Sequence, residues 1–267
     1  MPWQDLLRRI AASRPYDLLM RTPIVIYSSY VLVHDVRAFT VELAALPSVF
    51  DYPGMALLAR LSQWIFVALL AVLPLVRYRP IAKSSEVLPR VVALVTVCVP
   101  PLCLQFDRAP PNAVLDFIAA ITGLLASGLA VVTVSYLGRS FSVMPEARRL
   151  VTAGPYSIVR HPLYSCEILG VAGIALQVRS LQAVAALVAI VALQVARASW
   201  EEGVLDRALK DFAPYRARVP LLIPRCLGGG LTLAGPTSGA GQRSVAVSAA
   251  AIGLGVLIVT ALPRLTG

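Results

Sequence analysis

The chain has 267 residues, 58% of them hydrophobic and 14% charged, with a mean hydropathy of +0.76. A soluble domain runs nearer 45–50% apolar and about 25% charged, so this balance excludes an ordinary soluble globule and implies one integral membrane domain. The net charge of +10 comes nearly all from Arg, in short clusters between apolar runs. That is the pattern of cytoplasmic loops facing anionic lipid, and it argues against nucleic acid as a partner.

The N-terminal stretch MPWQDLLRRIAASRPYDLL lacks a continuous apolar run before Arg14 and a convincing cleavage site, so it does not read as a clean signal peptide. Leu6, Leu7 and Ile10, with Arg8 and Arg9, predict a short amphipathic helix on the membrane surface. A helix needs roughly 20 apolar residues to cross a bilayer. The first span is Thr22–Val36, interrupted by Ser28, Ser29, His34 and Asp35; the second is Gly54–Val76. The third, Leu88–Phe106, contains Pro100-Pro101, which would kink or split it. The fourth is Asn112–Leu137, with Gly123, Ser127 and Gly128 as a close-packing face.

Two short spans follow, Leu163–Val178 and Leu181–Ala196, separated only by Arg179-Ser180, and they read as a tight helical hairpin. The segment 224–243 reads as a flexible linker from its Gly, Ser and Pro content, and Ser244–Leu262 is the last of seven spans. With the N-terminus inside, 19 of the 24 Lys and Arg residues fall on inside segments, leaving only Arg37, Arg60, Arg108, Arg179 and Arg264 outside. The positive-inside rule therefore predicts a multi-pass protein with a cytoplasmic N-terminus. The glycines match neither a phosphate loop nor a Rossmann fingerprint. Cys98, Cys103, Cys166 and Cys226 form no C-x-x-C pair and the two histidines complete no zinc signature, so no metal is expected.

Two polar stretches stand out on the cytoplasmic side. LVTAGPYSIVRHPLY, Leu150 to Tyr164, carries Arg160 and His161; RASWEEGVL, Arg197 to Leu205, carries Arg197, Glu201 and Glu202. Pro162 pushes His161 toward an extended conformation and lets a helix begin at Pro162 or Leu163, with free N–H groups that favour an anion. Arg160 could serve such a site or anchor the helix end in lipid headgroups. Arg197 and Glu201 share one helix face; they could form a solvated salt bridge of little value, or functional charges at a depth where charge is costly. The hairpin leaves and re-enters the same side, which predicts His161 and Tyr164 close to Arg197 and Glu201.

The resemblance lies in five motifs: LGRSFS (Leu137–Ser142), LVTAGPY (Leu150–Tyr156), RHPLY (Arg160–Tyr164), RASWEEGVL and YRARVPLLIP (Tyr215–Pro224). In this order and spacing they resemble the isoprenylcysteine carboxyl methyltransferase family with its phospholipid N-methyltransferase relatives. The resemblance implies an all-α, polytopic membrane enzyme that uses S-adenosyl-L-methionine without a Rossmann domain, the cofactor entering from the cytosol and a lipophilic or prenylated acceptor from the membrane. Carried over position by position, Arg148, Arg149, Leu150 and Val151 match a strand of cofactor contacts, Tyr156 a further contact, and His161, Pro162, Leu163 and Tyr164 the segment that wraps the cofactor. Glu201 matches a carboxylate at the cofactor site, and Arg197 a residue facing the acceptor. Cys166, Leu209 and Phe212 depart from the family pattern; the last two replace a glycine and a tyrosine, and bear on the acceptor pocket. The implied division is membrane scaffold over 1–135, methyltransferase core over 136–226, linker over 227–243 and an extra helix over 244–267.

A sulfonium methyl is already electrophilic, so alignment is the main requirement. A carboxylate acceptor needs no base: Arg197 would position it and Glu201 would complement the cofactor's charge. An amine acceptor needs a base, for which Glu201 or Glu202 is the candidate. An NADPH-dependent reductase of the sterol-reductase type and a non-enzymatic membrane protein are the competing readings.

Overall fold

The computed structural model describes residues 78–225, apart from 79, 84–87, 104–108, 111 and 143–145, with helical positions among 22–33 and 65–76. The surface helix expected over the first 19 residues, most of the linker and the last span lie outside the described residues. The described positions of the first two spans are helical.

Five helices follow: α1 (Leu88–Cys103), α2 (Ala113–Leu137), α3 (Pro162–Val178), α4 (Leu181–Ala208) and α5 (Phe212–Arg218). The helix α1 continues through Pro100-Pro101, so the prolines do not split it. A short antiparallel pair joins β1 (Ala82–Lys83) to β2 (Glu146–Ala147), in the register Ala82↔Ala147 and Lys83↔Glu146. The fold is mostly helical, with this clasp as its one sheet among the described residues. Among the described residues two helices are long and apolar enough to cross a membrane, α2 with its short extension to Ser140, and α4.

Local chemistry sets the ends. Asn112 caps α2 through a bond from Leu115 N at 3.0 Å. The helix α3 stops at Arg179, whose φ of +54° reverses the chain in one left-handed residue. Ser180 then caps α4, its Oγ accepting from Ala183 N at 3.1 Å. These two residues make the hairpin turn anticipated from the sequence. Arg179 Nη1 also reaches Asp116 Oδ1 at 2.6 Å, which fixes the turn beside the start of α2. At the opposite end α4 passes straight through RASWEEGVL to Ala208. At about 1.5 Å per residue, its first 20 residues match the roughly 30 Å hydrocarbon core. Arg197 then lies about one helical turn deeper than Glu201.

The helix α3 packs most extensively on α2, through small residues. A Cβ at Gly173 would meet Thr122 Cγ2 at 3.3 Å and the backbone of Ala119 and Gly123 at 3.4 Å. Gly170 faces Ala126, and Cys166 is buried in the same region. The close-packing face is therefore Ala119, Thr122, Gly123 and Ala126; Gly128, expected to belong to it, has open space around it. Backbones that approach this closely gain dispersion contacts that lipid cannot supply. A second seam joins α1, α3 and α4, where Val92, Val171, Ile190, Leu193 and Ala196 are almost wholly buried.

Candidate active site

The cleft lies at the end of the hairpin opposite its turn. Its floor begins where Gly154 turns the chain with φ +60°, packed so close that a Cβ would come within 2.7 Å of the Tyr136 ring. The left-handed backbone favours glycine there, and a larger residue would also have to push the Tyr136 ring aside. The chain then makes a short 3-10 turn, Gly154–Ser157, and enters α3 at Pro162.

Arg160 is nine-tenths buried and grips three parts of the fold. Its Nε donates to Glu202 Oε1 at 2.6 Å, and its Nη1 donates to Val219 O at 2.5 Å and Arg216 O at 2.9 Å. Backbone bonds from Arg160 N to Pro220 O (2.8 Å) and His161 N to Leu221 O (3.1 Å) complete the attachment. Ser165 Oγ adds a bond to Leu222 O at 2.7 Å. Arg160 is thus an internal clamp on the C-terminal motif rather than a headgroup anchor.

His161 places Nε2 at 3.2 Å from Glu202 Oε1 and Nδ1 at 3.9 Å from Glu201 Oε2. Its ring stacks on Tyr164, centroids 5.2 Å apart and planes within 10°. Tyr164 donates its hydroxyl to Glu201 Oε2 at 2.6 Å, while the Arg197 guanidinium lies over its ring at 4.5 Å. The four groups that the hairpin was expected to gather are therefore in mutual contact, through Tyr164.

Residues from every polar motif line one cleft. Arg149, Leu150 and Val151 form one edge, Tyr156, His161, Leu163 and Tyr164 another, and Glu201, Leu205, Phe212 and Tyr215 the third. Arg149 is exposed, and the Glu201 side chain keeps 29% of its surface. Arg148 also lines the cleft, but its guanidinium holds Glu146 Oε2 at 2.5 Å, Tyr78 O at 2.7 Å and Phe141 O at 3.4 Å. It is 3% exposed and braces the clasp; the strand stops at Ala147, so Arg148–Val151 lies just beyond it rather than within it. Pro162, Arg197 and Glu202 do not line the cleft. Glu202 is buried between Arg160 and His161.

Phe212 and Tyr215 sit on this same cleft, so the substitution at Phe212 bears on it and not on the Arg197 side. Tyr215 donates its hydroxyl to Tyr156 O at 2.6 Å. Burial pushes the Tyr156 phenol well above its ordinary value, with the charge of Glu201 adding to the shift. Burial likewise raises Tyr215, partly offset by the nearby Arg160. Both phenols keep their protons at physiological pH.

On the other side of Tyr164, Arg197 is 6% exposed. Its Nη1 donates to Thr96 Oγ1 at 3.0 Å, Gln194 Oε1 at 3.1 Å and Glu167 Oε2 at 3.3 Å. Of the two readings of Arg197 and Glu201, the solvated pairing gives way to this buried set. Glu167 and Gln194 went unnoticed in the sequence because each stands alone in an apolar run. The available signal was a carboxylate and an amide within spanning segments, where either group needs a partner.

These features define a class: a helical, membrane-type domain whose polar motifs converge on a cleft at one end. Residues 115–211 match the family model of phospholipid methyltransferases, so this stretch carries a domain of that family. It is also similar to a cobalt-zinc-cadmium resistance protein, CzcN, of Cupriavidus metallidurans, with 37% identity over 107 residues, 38% of this chain and 50% of that protein. A nickel-cobalt-cadmium resistance protein, NccN, of Alcaligenes xylosoxydans xylosoxydans is 35% identical over the same shares. The chain spans about half the length of these curated relatives.

Proposed function

We propose that the protein is a multi-pass membrane methyltransferase that carries a methyl group from S-adenosyl-L-methionine to a lipophilic acceptor. The observation that carries this reading is the division made by Tyr164. The cleft with Glu201 lies on one side of it, and Arg197 lies within the apolar length of α4 on the other. In this reading the N-terminus and the cleft are cytosolic, seven helices span the bilayer, and residues 136–226 form the catalytic core.

The residues present fit the cofactor. The partly exposed Glu201 carboxylate suits its ammonium or sulfonium, and Leu150, Val151, Leu163 and Phe212 offer apolar cover for its adenine. Arg149, Tyr156, His161 and Tyr164 complete the wall, with Arg148 and Pro162 shaping it from behind. When bound, the cofactor supplies an electrophilic methyl on sulfur. Arg197 would orient the acceptor's carboxylate toward the cleft, where the bound cofactor would supply its methyl group to a carboxylate oxygen. No proton moves, and Tyr164 keeps bulk water from the reacting oxygen. An isoprenylcysteine-like carboxylate is the acceptor this arrangement suits best. Glu202, the earlier candidate for a base or substrate contact, serves this mechanism by holding His161 and Arg160 in place.

The family model's description favours a second acceptor class, an aminolipid. Glu201, within reach of the cleft, would then accept the proton that the amine releases. Calorimetric titration of the detergent-solubilised protein with S-adenosylhomocysteine and with NADPH tests the cofactor. Heat with the first and none with the second supports methyl transfer; the reverse supports a reductase, and heat with neither a non-enzymatic protein. Labelled methyl transfer into a membrane extract, read by mass, then identifies the acceptor.

A further inference from the structure

The proposed reaction assigns no role to Glu167. We propose that Glu167 is an internal stand-in for the acceptor's carboxylate, holding Arg197 until an anionic lipid takes its place and so restricting the site to anionic acceptors. This rests on the methyltransferase reading for its meaning but not for its test.

A buried guanidinium without a counter-charge is costly in a bilayer, so Arg197 needs one when no acceptor is present. Glu167 supplies it from α3, about 7–8 Å below the start of that helix by helical rise. Its grip is asymmetric. Glu167 Oε2 accepts a bond from Gln194 Nε2, while its bond from Arg197 Nη1, at 3.3 Å, is longer than those from that nitrogen to Thr96 and Gln194. Its side chain also keeps 24% of its surface, against 6% for Arg197. A carboxylate arriving from the apolar side meets Glu167 first. It can replace one oxygen on Arg197 while Glu167 stays tethered to Gln194. Thr96 and Gln194 hold the guanidinium still during that exchange, so the incoming group inherits a fixed partner. Charge also favours this choice: an anionic acceptor offers Arg197 the same charge that Glu167 does, whereas a neutral lipid offers none.

The experiment measures binding, not turnover, on the full-length protein in detergent, saturated with S-adenosylhomocysteine. The probes are an S-prenylated N-acetylcysteine and the alcohol made by reducing its carboxyl group. Glu167→Gln keeps the shape and the bond from Gln194 but removes the competing charge. It is expected to tighten the carboxylate's Kd by about tenfold, the size of one charge-assisted hydrogen bond, and to leave the alcohol's Kd unchanged. Equal tightening of both probes, no change, or weaker carboxylate binding would overturn the proposal. If the variant does not fold, wild-type protein decides: it must prefer the carboxylate to the alcohol, and to the corresponding primary amine, and a preference for the amine overturns the idea. Labelled transfer from S-adenosyl-L-methionine is measured alongside. Its absence in the wild type counts against the methyltransferase reading while the binding result stands by itself.

Discussion

Two Arg–carboxylate pairs of the same length, 2.6 Å, hold the two ends of the hairpin. Arg179–Asp116 closes the turn end, with side chains 17% and 15% exposed; Arg160–Glu202 closes the cleft end, at 8% and 4%. The outer pair, whose arginine also bonds the Leu176 and Pro110 carbonyls, serves a local turn. The inner pair continues through His161, Tyr164 and Glu201 to Arg197, so each of its members positions another. Similar contacts thus carry different weight, set by burial and by what hangs on them.

Substitutions can break that contrast. The largest effect is expected at the far end of the inner chain, where Arg197→Ala should lower methyl transfer by about 10²–10³-fold, the range for loss of a preorganised charge. Binding of S-adenosylhomocysteine should survive, as calorimetry can check. Removing Glu202 as Ala leaves Arg160 and His161 buried without their carboxylate, and should destabilise the protein by about 3–5 kcal/mol in a denaturant titration. Gly154→Ala should cost about 1–2 kcal/mol from the left-handed backbone alone, and more from the clash with Tyr136, seen as a lower thermal midpoint. Asp116→Ala, at the outer end, should cost only about 1 kcal/mol or less. A loss there as large as that of Glu202→Ala would remove the distinction between the two ends.

The smallest effect concerns alkaline pH. The folded-state pKa values of Tyr156 and Tyr215 are raised, so their contribution to stability is intact below the ordinary tyrosine value of about 10 and is lost as pH rises through the folded values. Phe at both positions should flatten the alkaline limb of the stability profile while leaving it unchanged near neutrality, apart from the lost Tyr215 hydrogen bond.

The hairpin was legible because Arg179-Ser180 is the one polar break between two apolar runs, and because a chain that crosses and returns must bring its ends together. The gathering of His161, Tyr164, Arg197 and Glu201 follows from that geometry. Arg160 was not legible as a clamp, since its partners include backbone carbonyls 56 and 59 residues away, which carry no side-chain signature. The sharing of roles between Glu201 and Glu202 was equally hidden. Adjacent on a helix, they point about 100° apart, and only the packing of α3 decides which one faces the cleft. Gly128 looked equivalent to Gly123 for the same reason: composition marks a small residue but not the direction of its neighbour.

The bonds from Arg160, His161 and Ser165 to the carbonyls of residues 216–222 have a consequence for biogenesis. The hairpin is complete in sequence at Ala208, but the cleft still lacks the strap that fixes its histidine. Assembly of the pocket is therefore a late event in synthesis, completed only when the segment through Leu222 folds back on the hairpin. A chain ending just short of Pro220 should keep the helical hairpin yet lose the ordered cleft, so that helix formation and pocket assembly are separable.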